Sequence, residues 1–150
     1  MYKHIMVAVD GSDTSERALS EAIGLARDQQ AKLLLVLAVE KVNLNAGAEF
    51  APPPEVEKWW EEAGRQILDK ALGRAREAGV DAEARLLEID KLGLGIAGAL
   101  VEEAKAWPAD LFVAGTHGRT GLGHLLMGSV AEGIVRACTV PVLLVRGTPA

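Results

Sequence analysis

The sequence predicts a single α/β domain: an open five-stranded parallel sheet with helices on both faces. Three observations predict it. Short, continuous apolar runs such as Ile5 to Val9, Leu33 to Val39 and Leu111 to Ala114 read as strands buried on both faces. Stretches with apolar residues every three or four positions lie between them and read as helices. The resulting order, β-α-β-α-β-α-β-α-β, gives a mainly parallel, Rossmann-like sheet when each crossover is right-handed. At 150 residues the chain fits one domain, able to bury a core without disulfides or structural metal.

The first strand, Ile5 to Val9, ends in Asp10-Gly11-Ser12-Asp13, a turn composition. Ser12 or Asp13 caps the helix that follows; Glu16 is placed to return a capping-box bond if the cap is Asp13. Leu19, Ala22, Ile23 and Ala26 form that helix's apolar stripe. The second strand is Lys32 to Val39, and the polar and small residues after it, through Pro52-Pro53-Pro54, predict a loop whose prolines end regular structure. Glu55 to Ala78 is the longest predicted helix, with a stripe through Val56, Trp60, Ala63, Ile67, Ala71 and Ala75. Trp59 and Trp60 cannot share a helix face, so one is expected to pack inward and the other to be exposed or covered by a partner.

Asp81 to Ile89 alternates in part and carries Glu83, Arg85 and Glu88, as expected of a strand near a sheet edge. Ile96, Ala97, Leu100, Val101 and Ala104 mark the third helix, which Pro108 ends. The fourth strand is Leu111 to Ala114. The fourth helix follows through Val130, Ile134, Val135 and Cys138, with Cys138 expected as a buried small hydrophobe. Val142 to Val145 closes the sheet.

Composition excludes several functions. A net charge of −5 offers nothing in bulk to nucleic acid or an anionic membrane. With Cys138 the only cysteine, no intramolecular disulfide forms, and no Cys/His spacing resembles a zinc site. The longest apolar runs are too short for a signal-peptide core or a membrane span, so a cytoplasmic location is expected. No lysine follows a glycine in the manner of a P-loop, and there is no nucleophile elbow. Gly93-Leu94-Gly95-Ile96-Ala97-Gly98 matches the dinucleotide fingerprint in form. It lacks the acidic residue about twenty positions on, and is read as helix entry and close packing.

The chemistry concentrates between the fourth strand and the fourth helix. There Gly115-Thr116-His117-Gly118-Arg119-Thr120-Gly121-Leu122-Gly123-His124-Leu125-Leu126-Met127-Gly128-Ser129 joins a buried strand to a helix start. Such a junction presents unpaired backbone N–H groups and the positive end of the helix dipole, and its glycines admit an anion close to the main chain. Phosphate binding is the chemistry that suits it.

The spacing G-x-x-G, nine residues, G-S, carried by Gly115, Gly118, Gly128 and Ser129, resembles the nucleotide-binding signature of the ATP-binding universal stress proteins. Ile5 to Ser12 is similar to that family's first strand and turn, and Val140 to Val145 to its last strand, so the likeness spans residues 1–150 as one nucleotide-binding domain. The resemblance implies that nucleotide is held by Ala8, Val9, Asp10, Ala38, Ala114, Gly115, His117, Gly118, Gly128, Ser129 and Val130. In that reading the Asp10 carboxylate meets ribose hydroxyls, the backbone at Ala38 meets adenine, and Gly128 and Ser129 offer N–H groups to phosphate. On residues alone, Asp10 is equally a strand-end residue making an Asx turn. Arg119 and His124, inside the spacer, read as solvated loop residues.

The implied ligand is ATP with Mg²⁺ or Mn²⁺, and the implied assembly a homodimer paired through Val142 to Val145. The expected function is a nucleotide-dependent stress-response regulator acting on a downstream protein partner. A slow ATPase or self-phosphorylating enzyme, with Ser129, Thr116 or Thr120 as acceptor, is the alternative.

Overall fold

A computed structural model describes residues 1–41, 53–90, 95–117 and 127–147. In chain order its elements are β1 (His4–Ala8), α1 (Asp13–Gln29), β2 (Lys32–Lys41), α2 (Pro54–Glu77), β3 (Ala82–Asp90), α3 (Gly95–Ala106), β4 (Leu111–Gly115), α4 (Ser129–Ala137) and β5 (Val142–Val145). All five strands are parallel, in the order β3-β2-β1-β4-β5. The expected single α/β domain is what forms.

Side chains alternate across a strand, so the sheet feeds two cores. Ile5, Val7, Leu33, Leu35, Leu111 and Val113 point to one face and join Ala18, Leu19 and Ala22 of α1 and Leu68, Ala71 and Ala75 of α2. Met6, Leu34, Val36, Phe112 and Ala114 point to the other and join Leu100 and Ala104 of α3 and Ile134 of α4. This two-sided burial is why the strands read as unbroken apolar runs rather than alternating ones. At the second layer a Cβ on Gly133 would lie 2.6 Å from the Ala97 Cβ, so α3 and α4 meet almost backbone to backbone.

Several element ends differ from expectation for local reasons. Ser12 is the N-cap of α1: its Oγ accepts from the Ser15 N–H at 3.2 Å. Glu16 closes no capping box; its carboxylate accepts from Arg74 of α2 at 2.5 Å. The prolines do not end regular structure before α2, because Pro54 is its first residue, where a missing N–H costs nothing. Neither Trp59 nor Trp60 packs inward: they are 70% and 44% exposed. The described first turns of α2 contribute no buried residue before Gly64, so both rings lie beyond the sheet's core. Cys138 is half-buried, because it is the C-cap of α4 and lies past the helical residues that face the core. Gly95 opens α3 at φ +73°, which accounts for one glycine of the fingerprint-like run; Gly93 lies outside the described residues.

The two sheet edges have opposite character. β3 carries Glu83 and Arg85, and Arg85 pairs with Glu103 while the Trp107 indole donates to Glu83 at 2.7 Å. β5 is wholly apolar. Among the described residues no helix is long and apolar enough to cross a membrane.

Candidate functional site

In a doubly wound sheet, the strand order reverses where two successive connections leave to opposite sides, and a crevice opens beyond the carboxyl ends of those strands. Here the reversal lies between β1 and β4. A crevice of about 730 Å³ occupies that place, within the roughly 300–1,000 Å³ usual for small-molecule sites. Of the residues anticipated from sequence, Ala8, Val9, Asp10, Ala38, Ala114, Gly115, His117, Gly128, Ser129 and Val130 all line it. Gly118 lies outside the described residues, as do Arg119, Thr120 and His124.

The β1–α1 turn fixes one rim. Gly11 takes φ +82°, a left-handed value that a side chain would strain, and lets the chain fold back on itself. Asp10 Oδ1 then accepts from the Ser12 N–H at 2.9 Å, and the Asp10 N–H donates to Ser15 Oγ at 2.9 Å. Ser15 is buried, so this polar hub holds the turn rigidly. The Asx turn is therefore present. A carboxylate has two oxygens and accepts several bonds, so this contact is compatible with ligand hydroxyls.

The opposite rim is the entry to α4. The Thr116 N–H donates to the Val145 carbonyl at 2.9 Å, and the Gly128 N–H donates to the Thr116 carbonyl at 2.7 Å. The second bond closes the connection between β4 and α4 at its base. It also corrects the expectation for Gly128, whose N–H is engaged in the fold and not available to an anion. Gly128 is the N-cap, its carbonyl accepting from Glu132 at 3.0 Å. The N–H groups of Ser129, Val130 and Ala131 precede the first intrahelical bond, and no side chain caps them. Those three residues line the crevice. The one donor missed by sequence reasoning is thus a step further along, at Ala131.

Close packing sets the remaining walls. A Cβ on Gly115 would lie 2.7 Å from Thr14 Cγ2, so a glycine is needed where β4 ends against α1. Beside it, Thr116 Oγ1 and His117 Nδ1 are 3.0 Å apart. The β2 side is walled by Val39, Glu40, Trp60, Gly64 and Ile67, which the sequence reading did not assign. The signal that points there is the helical stripe through Trp60 and Ile67.

A family model described as the universal stress protein family matches residues 1–146. A universal stress protein of Thermus aquaticus is 37% identical over 97% of this chain and 100% of its own length. The fold matches a universal stress protein solved in complex with cAMP, with a TM-score of 0.70 and 30% identity over 98% of both chains. It also matches an Archaeoglobus fulgidus universal stress protein in complex with dAMP, with a TM-score of 0.69 and 25% identity over 96% of this chain and 98% of that one.

Proposed function

The chain belongs to the universal stress protein family, and from that membership we propose that it is an ATP-binding member, a nucleotide-dependent regulator of a stress response. The observation that carries the reading is the start of α4. The three residues whose N–H groups no side chain caps, at the positive end of a helix, line the same crevice as Asp10. Phosphates suit the first, and ribose hydroxyls suit the second. Relatives in complex with cAMP and dAMP support an adenine nucleotide as the ligand class.

In this reading the whole of residues 1–150 is one nucleotide-binding domain. Ala8, Val9 and Ala114 form the floor, Ala38 offers its backbone to the base, and Gly115 and His117 flank the phosphates. Mg²⁺ or Mn²⁺ accompanies the triphosphate, held chiefly by phosphate oxygens and water. That mode needs no cluster of protein ligands. The reading includes a cytoplasmic location, and the net charge of −5 supports the absence of nucleic-acid and anionic-membrane partners. Titration calorimetry with MgATP tests the reading: saturable, one-to-one binding is expected, and a nucleotide-free preparation that shows none at millimolar ATP overturns it.

A slow ATPase or self-phosphorylating enzyme is the second reading, because the hydroxyl-bearing residues Thr116 and Ser129 line the crevice. Single-turnover assays separate it from binding alone.

The regulator is proposed to act as a homodimer paired through β5. An apolar edge strand invites another strand, whereas the charges on β3 discourage pairing at the other edge. The inward bonds fix which donors are open. Phe112 donates to the Pro141 carbonyl and Thr116 to the Val145 carbonyl, so by the alternation of a parallel ladder residues 141, 143 and 145 face β4. The backbone groups of Val142 and Leu144 face outward. Leu144→Pro is therefore expected to convert the dimer to monomer without unzipping β4 from β5, read by sedimentation at micromolar concentration. A dimer that survives this substitution places the interface elsewhere.

A further inference from the structure

We propose that Trp60 is a base-stacking residue that favours purines in this chain; the proposal rests on the nucleotide reading above, in which the base meets Ala38 of β2. The backbone geometry brings the ring there. A Cβ on Gly64 would lie 2.6 Å from Leu37 Cδ2 and 3.3 Å from Leu86 Cδ1, so α2 rides directly on β2 and β3. Trp60 lies one turn earlier on the same face, about 5.4 Å nearer the carboxyl ends of the strands. It lines the crevice while remaining 44% exposed. Among the described residues its ring stacks on no other aromatic side chain, and its indole N–H meets no acceptor. A large, flat, apolar surface is thus held at the wall of a ligand-sized space.

Electrostatics assign the two ends. Glu40, at the carboxyl end of β2, also lines the crevice, and its carboxylate repels phosphate. The α4 N-terminus attracts phosphate. β2 and β4 are separated by β1, which puts their ends about 10 Å apart, a span a ribose bridges between base and phosphate. A nucleotide with its phosphates at Ser129 to Ala131 therefore delivers its base to Trp60. Stacking rewards the wider purine surface over a pyrimidine. Trp59 does not line the crevice, and Trp107 sits at the other end of the sheet, bonded to Glu83, so both can be silenced as reporters.

The experiment uses the full chain in a Trp59→Phe, Trp107→Phe background, with ATP and CTP as probes that share one ribose triphosphate. ATP is expected to quench Trp60 fluorescence saturably. Trp60→Ala should weaken ATP by about ten- to a hundredfold and CTP by less, so that the purine preference falls, while Trp60→Phe recovers part of it. Melting curves of each variant establish that the protein compared is folded. Unchanged ATP affinity in Trp60→Ala, an equal loss for ATP and CTP, or saturable binding without quenching overturns the role of Trp60 and leaves the nucleotide reading standing. Absence of ATP binding by the unsubstituted protein overturns both.

Discussion

Ser129→Pro is expected to weaken ATP binding by about ten- to a hundredfold while leaving the fold and its melting temperature intact. Ser129 is the first helical residue of α4, and Gly128 before it lies at φ −65°, ψ 156°. Proline favours that first position, its ring fixing a φ the helix already needs. It also requires an extended residue before it, which Gly128 already is. The substitution thus removes one backbone donor and one hydroxyl with no conformational cost. Hydrogen bonds to a charged group are worth about 1.5–3 kcal/mol, which sets the expected loss in affinity. Ser129→Ala deletes only the hydroxyl, so the gap between the two variants in calorimetry isolates the backbone N–H. Equal affinities for Ser129→Pro and the unsubstituted protein would remove the α4 N-terminus from the phosphate site.

Much of this architecture was legible because the central strands are buried on both faces. Ile5 to Val9 and Leu33 to Val39 have no solvent face, so their sequences have no polar alternation to confuse with a helix. β3 was legible as an edge for the converse reason, since Glu83, Arg85 and Glu88 mark where only part of a strand is covered. The crevice followed from topology: Asp10 and Gly115 both end parallel strands on either side of the order reversal. Gly11 and Ser12 announced the turn through conformation and capping chemistry that depend on neighbours alone.

What escaped was set by distant partners. The Gly128 N–H looks from sequence like a phosphate donor, yet it bonds to the Thr116 carbonyl, a partner that depends on how the chain returns from β4. Helical periodicity placed Trp60 and Ile67 on one face without revealing how far α2 projects past β2. The same stripe therefore runs from core at Ala71 and Ala75 to crevice wall at Trp60. The close approach at Gly64 decides that transition, and a lone glycine inside a helix does not say which neighbour it admits. Likewise, an apolar closing strand predicts pairing, but which of its residues face outward depends on the register with β4.

Phe112→Ala is expected to cost about 3–5 kcal/mol of folding stability, the range for truncating a fully buried aromatic side chain. Phe112 is wholly buried on β4 among Met6, Leu34, Leu100 and Ile134. The size of the loss depends on whether the surroundings can collapse into the space. Here α3 and α4 already meet at Gly133 and Ala97 with no room for a further methyl group, so neither helix can settle inward without moving the other. The void therefore persists, and the upper part of the range applies. For a chain of this length each kcal/mol corresponds to about 2–4 °C, giving a fall in melting temperature of roughly 10 °C or more. Val135→Ala, on α4 but 45% exposed, is the surface control and should stay within about 0.5 kcal/mol. Urea denaturation of both variants measures the contrast. A loss below about 1.5 kcal/mol at Phe112 would mean that the α3–α4 layer repacks, and the rigid seat assigned to the α4 N-terminus would then be wrong.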